Sequence, residues 1–356
     1  MPVSTLSFRA PLFVSSLLLL AACSQETSAP AGAEGAGAAA TPELTGAVRL
    51  DGSSTVFPIS EAIAEEFLAA SPGVRVTVGA SGTGGGFSKF MAGETDINNA
   101  SRPVKAEEIE LGNAKGIEYL ELAVAYDGLS VVVNPANTFV DFLTIAELKA
   151  IWEPASTVDS WNDVRPEWPD QPLRLYGAGT DSGTFDYFTE VVTGKTGAAR
   201  PDYTASEDDN VVVNCVAKDP QALGYLGYGW FRSNSEKLKA LAVVNPKGKA
   251  VEPSVQSVLQ GKYQPLSRVL FVYVSDQALR ESPDVRNFTT FLVRNSPSLV
   301  AKANYIPLSE STIRLVETKL YRRVLGTSFG GELPVGLTIY DALQRSFDQH
   351  KRPEFR

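Results

Sequence analysis

Four short segments hold the residue types from which a binding site can be made: GSSTVF (52–57), SGTGGGF (81–87), NNASRP (98–103) and TDSGTF (180–185). Their hydroxyls, bare glycine backbone and single guanidinium, Arg102, are hydrogen-bond donors. Glycine loses more conformational entropy on folding than any other residue, so a cluster of four needs a reason. It is either a flexible turn or a loop that leaves main-chain N–H groups open to an anion. A Ser or Thr at one helix start is ordinarily an N-cap. Four such segments, each after a strand candidate, suit a tetrahedral oxyanion, whose oxygens each accept two or three hydrogen bonds. Bonds to a charged acceptor contribute roughly 1.5–3 kcal/mol each. Several of them, after the cost of ordering, reach the roughly 8 kcal/mol of a micromolar site.

Other chemistries lack material. The only histidine is His350 and the only cysteines are Cys23 and Cys215, so a Ser-His-Asp triad, a histidine metal site or a disulfide framework is not expected. Cys215 reads as a small buried hydrophobe. The loop GTGGGFSK lacks the ending of a P-loop and the spacing of a dinucleotide fingerprint. A net charge of −9 gives no general attraction for nucleic acid, so any anion must be captured locally.

The elements that position the loops are legible as a pattern. Val48 and Leu50 alternate into the first loop; Ile59, Ile63, Phe67 and Ala70 follow at helical spacing behind Pro58; Val74, Val76 and Val78 alternate again. A helix is expected from about Phe87 to Gly93. Strand, loop and helix in repetition predict a mainly parallel α/β sheet whose ligands lie outside the carboxyl ends of its strands. The apolar stretches 119–135 and 263–276 suit strands that pass between lobes, the first pausing at Asp127-Gly128. LTIAELKAIW (143–152) is an amphipathic helix pattern, and 152–172 reads as loop. The fold class expected is α/β with two lobes, a ligand cleft between them and two crossing strands.

The N-terminus is a separate matter. The apolar run 11–22 follows Arg9, is short for a membrane span and ends in Leu20-Ala21-Ala22-Cys23. This is similar to the lipobox of bacterial lipoproteins, in which the cysteine carries the lipid. The Ala-, Gly-, Ser- and Pro-rich stretch after it reads as a disordered tether.

LDGSSTVFPISEAIAEEF, GASGTGGGFSKF, DINNASRP, AYDGLSVVVNP, GAGTDSGTFDYF, ALGYLGYGWF and YQPLSRVLFVYV together resemble the PstS-type phosphate-binding proteins of ABC transporters, over about residues 47 to 345 and in the family's order. The resemblance implies a type II periplasmic-binding-protein fold. With the N-terminal reading it divides the chain into a lipoprotein signal peptide (1–22), a lipidated Cys23 and tether (23–46), one lobe from 47–129 and 269–345, a second from 130–268, and a tail (346–356). It implies no catalysis, cofactor, metal or nucleic acid. The expected partners are inorganic phosphate, ABC permease subunits and the membrane through the lipid on Cys23, with the body a monomer outside the cytoplasm.

The implied phosphate ligands are Ser54, Thr55 and the amide of Val56, with the choice among Ser53, Ser54 and Thr55 open; Ser81 or Thr83; Ser101 and Arg102; and Ser182, Gly183 and Thr184. Two positions depart from well-known members. Arg102 stands where they carry Asp, and Ala178 where they carry Arg, so the guanidinium is expected at Arg102. A carboxylate facing the anion accepts the proton of hydrogen phosphate and repels sulfate. Asp127 and Asp181 are the candidates for that role, with cap or turn functions as the alternative. A receptor for sulfate or molybdate, and a surface phosphohydrolase, remain the competing readings.

Overall fold

The computed structural model describes residues 45–180, 182–206 and 208–329, together with Ile339 and Leu343. The leader, Cys23, the tether, Asp181 and His350 lie outside the described residues. Among those described, no helix is long and apolar enough to cross a membrane.

Strand β1 (Ala47–Gly52) runs into helix α1 (Phe57–Ala70), which starts on Pro58 and buries Ile59, Ile63 and Phe67 at the spacing of one helix face; Ala70 is exposed. Next come β2 (Arg75–Val78), α2 (Gly82–Phe90), β3 (Ile97–Ala100) and α3 (Ala106–Lys115). Helix α2 begins inside the glycine run rather than after it. Strands β2 and β3 both pair parallel to β1, so the loops at their carboxyl ends emerge on one side.

Strand β4 (Tyr119–Val133) is a single strand with all fifteen residues buried, as expected where both faces are covered. It does not pause at Asp127-Gly128 but changes partner there. Beyond it lie β5 (Phe142–Leu143), α4 (Ile145–Trp152), the short α5 (Trp161–Val164) within the expected loop, β6 (Arg174–Ala178), α6 (Gly183–Thr193), β7 (Thr204–Ser206), α7 (Asp209–Lys218), β8 (Ala222–Gly227) and α8 (Tyr228–Ser233). Small elements β9 (Lys239–Ala240), β10 (Ala242–Val244), β11 (Ala250–Val251) and α9 (Val255–Leu259) precede β12 (Ser267–Ser275). The described order closes with α10 (Asp276–Glu281), α11 (Pro283–Lys302), β13 (Ile306–Pro307) and α12 (Glu310–Tyr321).

The main sheet runs β2-β1-β3-β12-β4-β8-β6-β7. Residues 119–128 of β4 pair antiparallel with β12, and residues 129–133 with β8. β4 is therefore the one strand of this path that serves both halves. The return passage is the segment just before β12, tied to β4 by the Leu129 N–H donating to the Leu266 carbonyl at 2.8 Å. Each half has its own aromatic packing. Phe67 meets Phe288 and Phe291 edge-on in the first. In the second, Trp152 stands edge-on to Phe188 and Tyr225, which stack 3.7 Å apart. Cys215, on α7, is half-buried rather than buried.

Candidate functional site

The first loop leaves β1 at Gly52 and is fastened to β3 by the Ser53 N–H, which donates to the Asn99 carbonyl at 2.9 Å. It turns at once into α1, so the amides of Val56 and Phe57 both donate to the Ser53 carbonyl. The glycine loop packs directly on this turn. A Cβ on Gly86 would lie 2.4 Å from the Gly52 Cα and 2.2 Å from the Asn98 amide oxygen, so no larger residue lets α2 approach β1. No side chain caps α1 or α2, whereas Ser182, Asp208, Ser282 and Ser309 cap α6, α7, α11 and α12. The first turns of α1 and α2 thus carry no side-chain cap, as is also the case for α8.

Asp51 pins the glycine loop from behind. Its Oδ1 accepts from the N–H of Gly52 (2.7 Å), the N–H of Ser81 (3.0 Å) and the hydroxyl of Ser81 (2.7 Å), and its Oδ2 from Lys89 Nζ (2.5 Å). Burial pushes this carboxyl up, but the bonds from Lys89, Ser81 and Gly52 outweigh it and hold the pKa at about 2. The Ser81 hydroxyl is therefore turned to Asp51. Thr83 instead faces the third loop: its Oγ1 lies 3.0 Å from Ser101 Oγ and accepts from the Ser101 N–H at 3.2 Å.

The fourth loop comes from the other half of the sheet. Ser182 Oγ accepts from the Thr184 N–H at 3.1 Å, a cap bond that leaves its own proton free to donate. Gly183 abuts the first loop: a Cβ there would meet Thr55 Oγ1 at 2.6 Å, Thr55 N at 2.9 Å and Ser54 Oγ at 3.0 Å.

Between these loops sits Arg268, at the head of β12. Its Nη2 donates to Thr55 Oγ1 at 2.8 Å, its Nε to Asp127 Oδ2 at 3.2 Å, and its guanidinium lies over the Tyr187 ring of α6 at 3.6 Å from the centroid. Burial raises the pKa of Asp127; the charge and bond of Arg268 and the Gly128 N–H act against that rise. A cavity of about 490 Å³ is lined by Ser54, Thr55, Asp127 and Ser182 to Thr184. A second, of about 440 Å³, is lined by Ser101, Arg102, Tyr187 and Arg268. Among the described residues, no group of three or more His, Cys, Asp or Glu side chains could hold a metal ion.

The family model for the PBP superfamily domain matches residues 29–296. The protein SphX of Synechococcus elongatus is 48% identical over 299 residues, covering 83% of this chain and 88% of its own length. The phosphate-binding protein PstS of Staphylococcus saprophyticus is 38% identical over 303 residues, covering 85% of this chain and 90% of its own length. The chain belongs to the PstS-type phosphate-binding proteins of the PBP superfamily. The crystal structure of a possible phosphate binding protein from Planctomyces limnophilus superposes with a TM-score of 0.75 at 47% identity, over 78% of this chain and 99% of that one. The mixed α/β architecture is that of the type II PBP fold.

Within the family fold, the expected site residues fall into two groups. Ser54, Thr55, Asp127, Ser182, Gly183 and Thr184 meet around the first cavity; Ser101 and Arg102 line the second, with Thr83 against Ser101. The Val56 amide is spent on the turn, and the Ser81 hydroxyl on Asp51. Arg102 does not stand free: Nη1 and Nη2 donate to both oxygens of Glu108 at 2.9 and 2.8 Å. The guanidinium with unspent donors in the cleft is Arg268, which sequence reasoning passed over as the first residues of an apolar strand. The available signal was an arginine in YQPLSRVLFVYV, where the chain was expected to return between lobes.

Two measurements test this geometry. Gly183→Ala places a methyl 2.9 Å from the Thr55 backbone nitrogen and should destabilise the fold by about 1–3 kcal/mol. Urea titration should show the midpoint falling accordingly; an unchanged midpoint would mean that the loops do not meet. Asp51 has a folded pKa below its unfolded value, so its stabilisation is present above the ordinary carboxylate pKa and is lost as pH falls toward 2. Asp51→Asn should remove about 1–2 kcal/mol at neutral pH, allowing for the half-exposed Lys89. It should also flatten the wild-type loss of stability between pH 4 and 2 in urea titrations, because the carboxylate that titrates there is gone.

Proposed function

We propose that the chain is the substrate-binding protein of an ABC phosphate importer, taking up inorganic phosphate between its two halves and passing it to the permease. The chain is a binding protein and not an enzyme, as its family is. The observation that carries the choice of ligand is Arg268. It reaches one half through Thr55, the shared strand through Asp127 and the other half through the Tyr187 ring, and its partners Thr55 and Asp127 also line the cavity of Ser54, Ser182 and Thr184. A guanidinium offers a fork that fits two oxygens of a tetrahedral anion, and its remaining N–H groups supply that fork here.

In this reading the phosphate is held by Arg268, Ser54, Thr55, the Ser182–Gly183–Thr184 turn, Thr83 and Ser101. Arg102 supports the third loop with its charge already answered by Glu108. Asp127 takes the proton of hydrogen phosphate. Sulfate has none to offer, and a carboxylate repels it. The domain boundary at 129–130 and 268–269 is part of the same proposal, supported by the change of partner along β4.

Isothermal calorimetry with phosphate tests the ligand. Arg268→Ala should weaken binding by about 3 kcal/mol or more, on the order of a hundredfold, since it also strands Asp127. Arg102→Ala should cost less than about tenfold, because its charge is neutralised in place; the reverse ranking would move the anchor to Arg102. In the same titrations Asp127→Asn should narrow the preference for phosphate over sulfate. For the wild type, sulfate should compete better as pH falls through the raised pKa of Asp127 and its repulsive charge disappears. Stronger binding of sulfate or molybdate than of phosphate at neutral pH would replace the ligand.

We further propose that Cys23 carries a diacylglyceryl group, that residues 24–44 tether the body and that it works as a monomer outside the cytoplasm. Mass spectrometry of membrane-extracted protein should find the lipid on Cys23, and Cys23→Ser should release the protein from the membrane; an unmodified cysteine in mature protein would contradict the anchor.

A further inference from the structure

We propose that Tyr273 and Glu121 form a buried hydrogen-bond relay that positions the Ser101–Arg102 turn for the anion, an inference that rests on the cleft reading above. The two residues face each other across β12 and β4 in direct register. Tyr273 Oη accepts from the Val104 N–H at 2.9 Å and donates to Glu121 Oε2 at 2.8 Å. Pro103 has no N–H, so Val104 is the first main-chain donor after Arg102, and the hydroxyl takes it. The same Glu121 oxygen accepts from Thr327 Oγ1 at 2.6 Å, and Oε1 from the Ser328 N–H at 2.7 Å. Lys319 Nζ stands 3.8 Å from Oε1 and donates to Ser328 Oγ at 2.9 Å.

All of this is out of water: Val104, Glu121 and Tyr273 are 0% exposed and Lys319 is 1% exposed. Burial lowers the pKa of Lys319, and Glu121 opposes that. A buried ion pair is a poor way to gain stability, since apolar side chains of similar volume do as well or better. Its worth here is geometric. With both carboxylate oxygens engaged, the Tyr273 hydroxyl has one direction in which to donate and one lone-pair region to offer Val104. The ring adds a second hold. It meets Phe87 of α2 edge-on at 4.8 Å, and Phe87 carries the Arg102 guanidinium at 5.3 Å. Tyr273 therefore touches the supports of the glycine loop and the third loop at once. The relay holds the turn on which Ser101 Oγ stands 3.0 Å from Thr83 Oγ1, the pair that the cleft reading offers to the anion.

Tyr273→Phe tests the relay, because it keeps the ring on Phe87 and deletes only the hydroxyl. Amide hydrogen exchange at Val104, measured without ligand, should speed up about tenfold or more as its acceptor is lost. The dissociation constant for orthophosphate should rise roughly three- to tenfold. Thr327→Ala removes a donor from the same Glu121 oxygen on the side away from the loop. It should lower the thermal midpoint comparably while leaving the dissociation constant within about twofold. Unchanged exchange at Val104, or equal loss of affinity in both variants, would reduce Tyr273 to a stabilising residue and overturn the relay. Should wild-type protein give no heat with phosphate, the cleft reading would fail, and exchange at Val104 would still decide whether Tyr273 holds the turn.

Discussion

A positive charge held out of water between two halves of a protein constrains everything around it. Arg268 and Asp127 are both nearly buried, with side chains 12% and 8% exposed. Their attraction has to offset a desolvation cost of several kcal/mol for each ion. The remaining donors of Arg268 must therefore find oxygen. Thr55 supplies one and the Tyr187 ring shields a face, and in the proposed function an oxyanion takes up the rest. The loops follow from this need. Two helices without side-chain caps, α1 and α2, turn their amino ends to the same side of the sheet, while the capping serine of α6 keeps a proton to give. Positive ends of dipoles and neutral hydroxyls can share a site with a guanidinium without repelling it.

The residues that hold these donors are as telling as the donors. Asp51 fixes Ser81 and Gly52, and Tyr273 fixes Val104. Each is a carboxylate or hydroxyl spent on the main chain of a loop, so the loop is shaped before an anion arrives. Ordering costs are then met in folding rather than in binding, which is the physical meaning of preorganisation.

Much of this was visible in the sequence, and the parts that were not share a cause. Hydroxyls and glycines after strand candidates mark the four loops because strand period and turn chemistry are local properties. The Ile59, Ile63 and Phe67 face of α1 is local too. The start of α2 inside the glycine run is not: Gly86 is admitted to a helix because Gly52 lies against it, a contact between distant segments. Arg268 escaped notice because its meaning depends on Asp127, 141 residues away. The pairing of Arg102 with Glu108 lay within reach, since the acidic residues at the start of α3 are six positions on. The spent amide of Val56 required knowing where the turn into α1 closes.

The shared strand has a bearing on how the chain is made. Residues 119–128 of β4 belong to one half and 129–133 to the other, and β3 finds its second neighbour only in β12. The first half therefore cannot complete its sheet until more than a hundred further residues have left the ribosome. Proteins usually fold their amino-terminal parts first as they emerge. Here the early strands must wait, with the edges of β3 and β4 unpaired, until β12 emerges and closes the sheet between them.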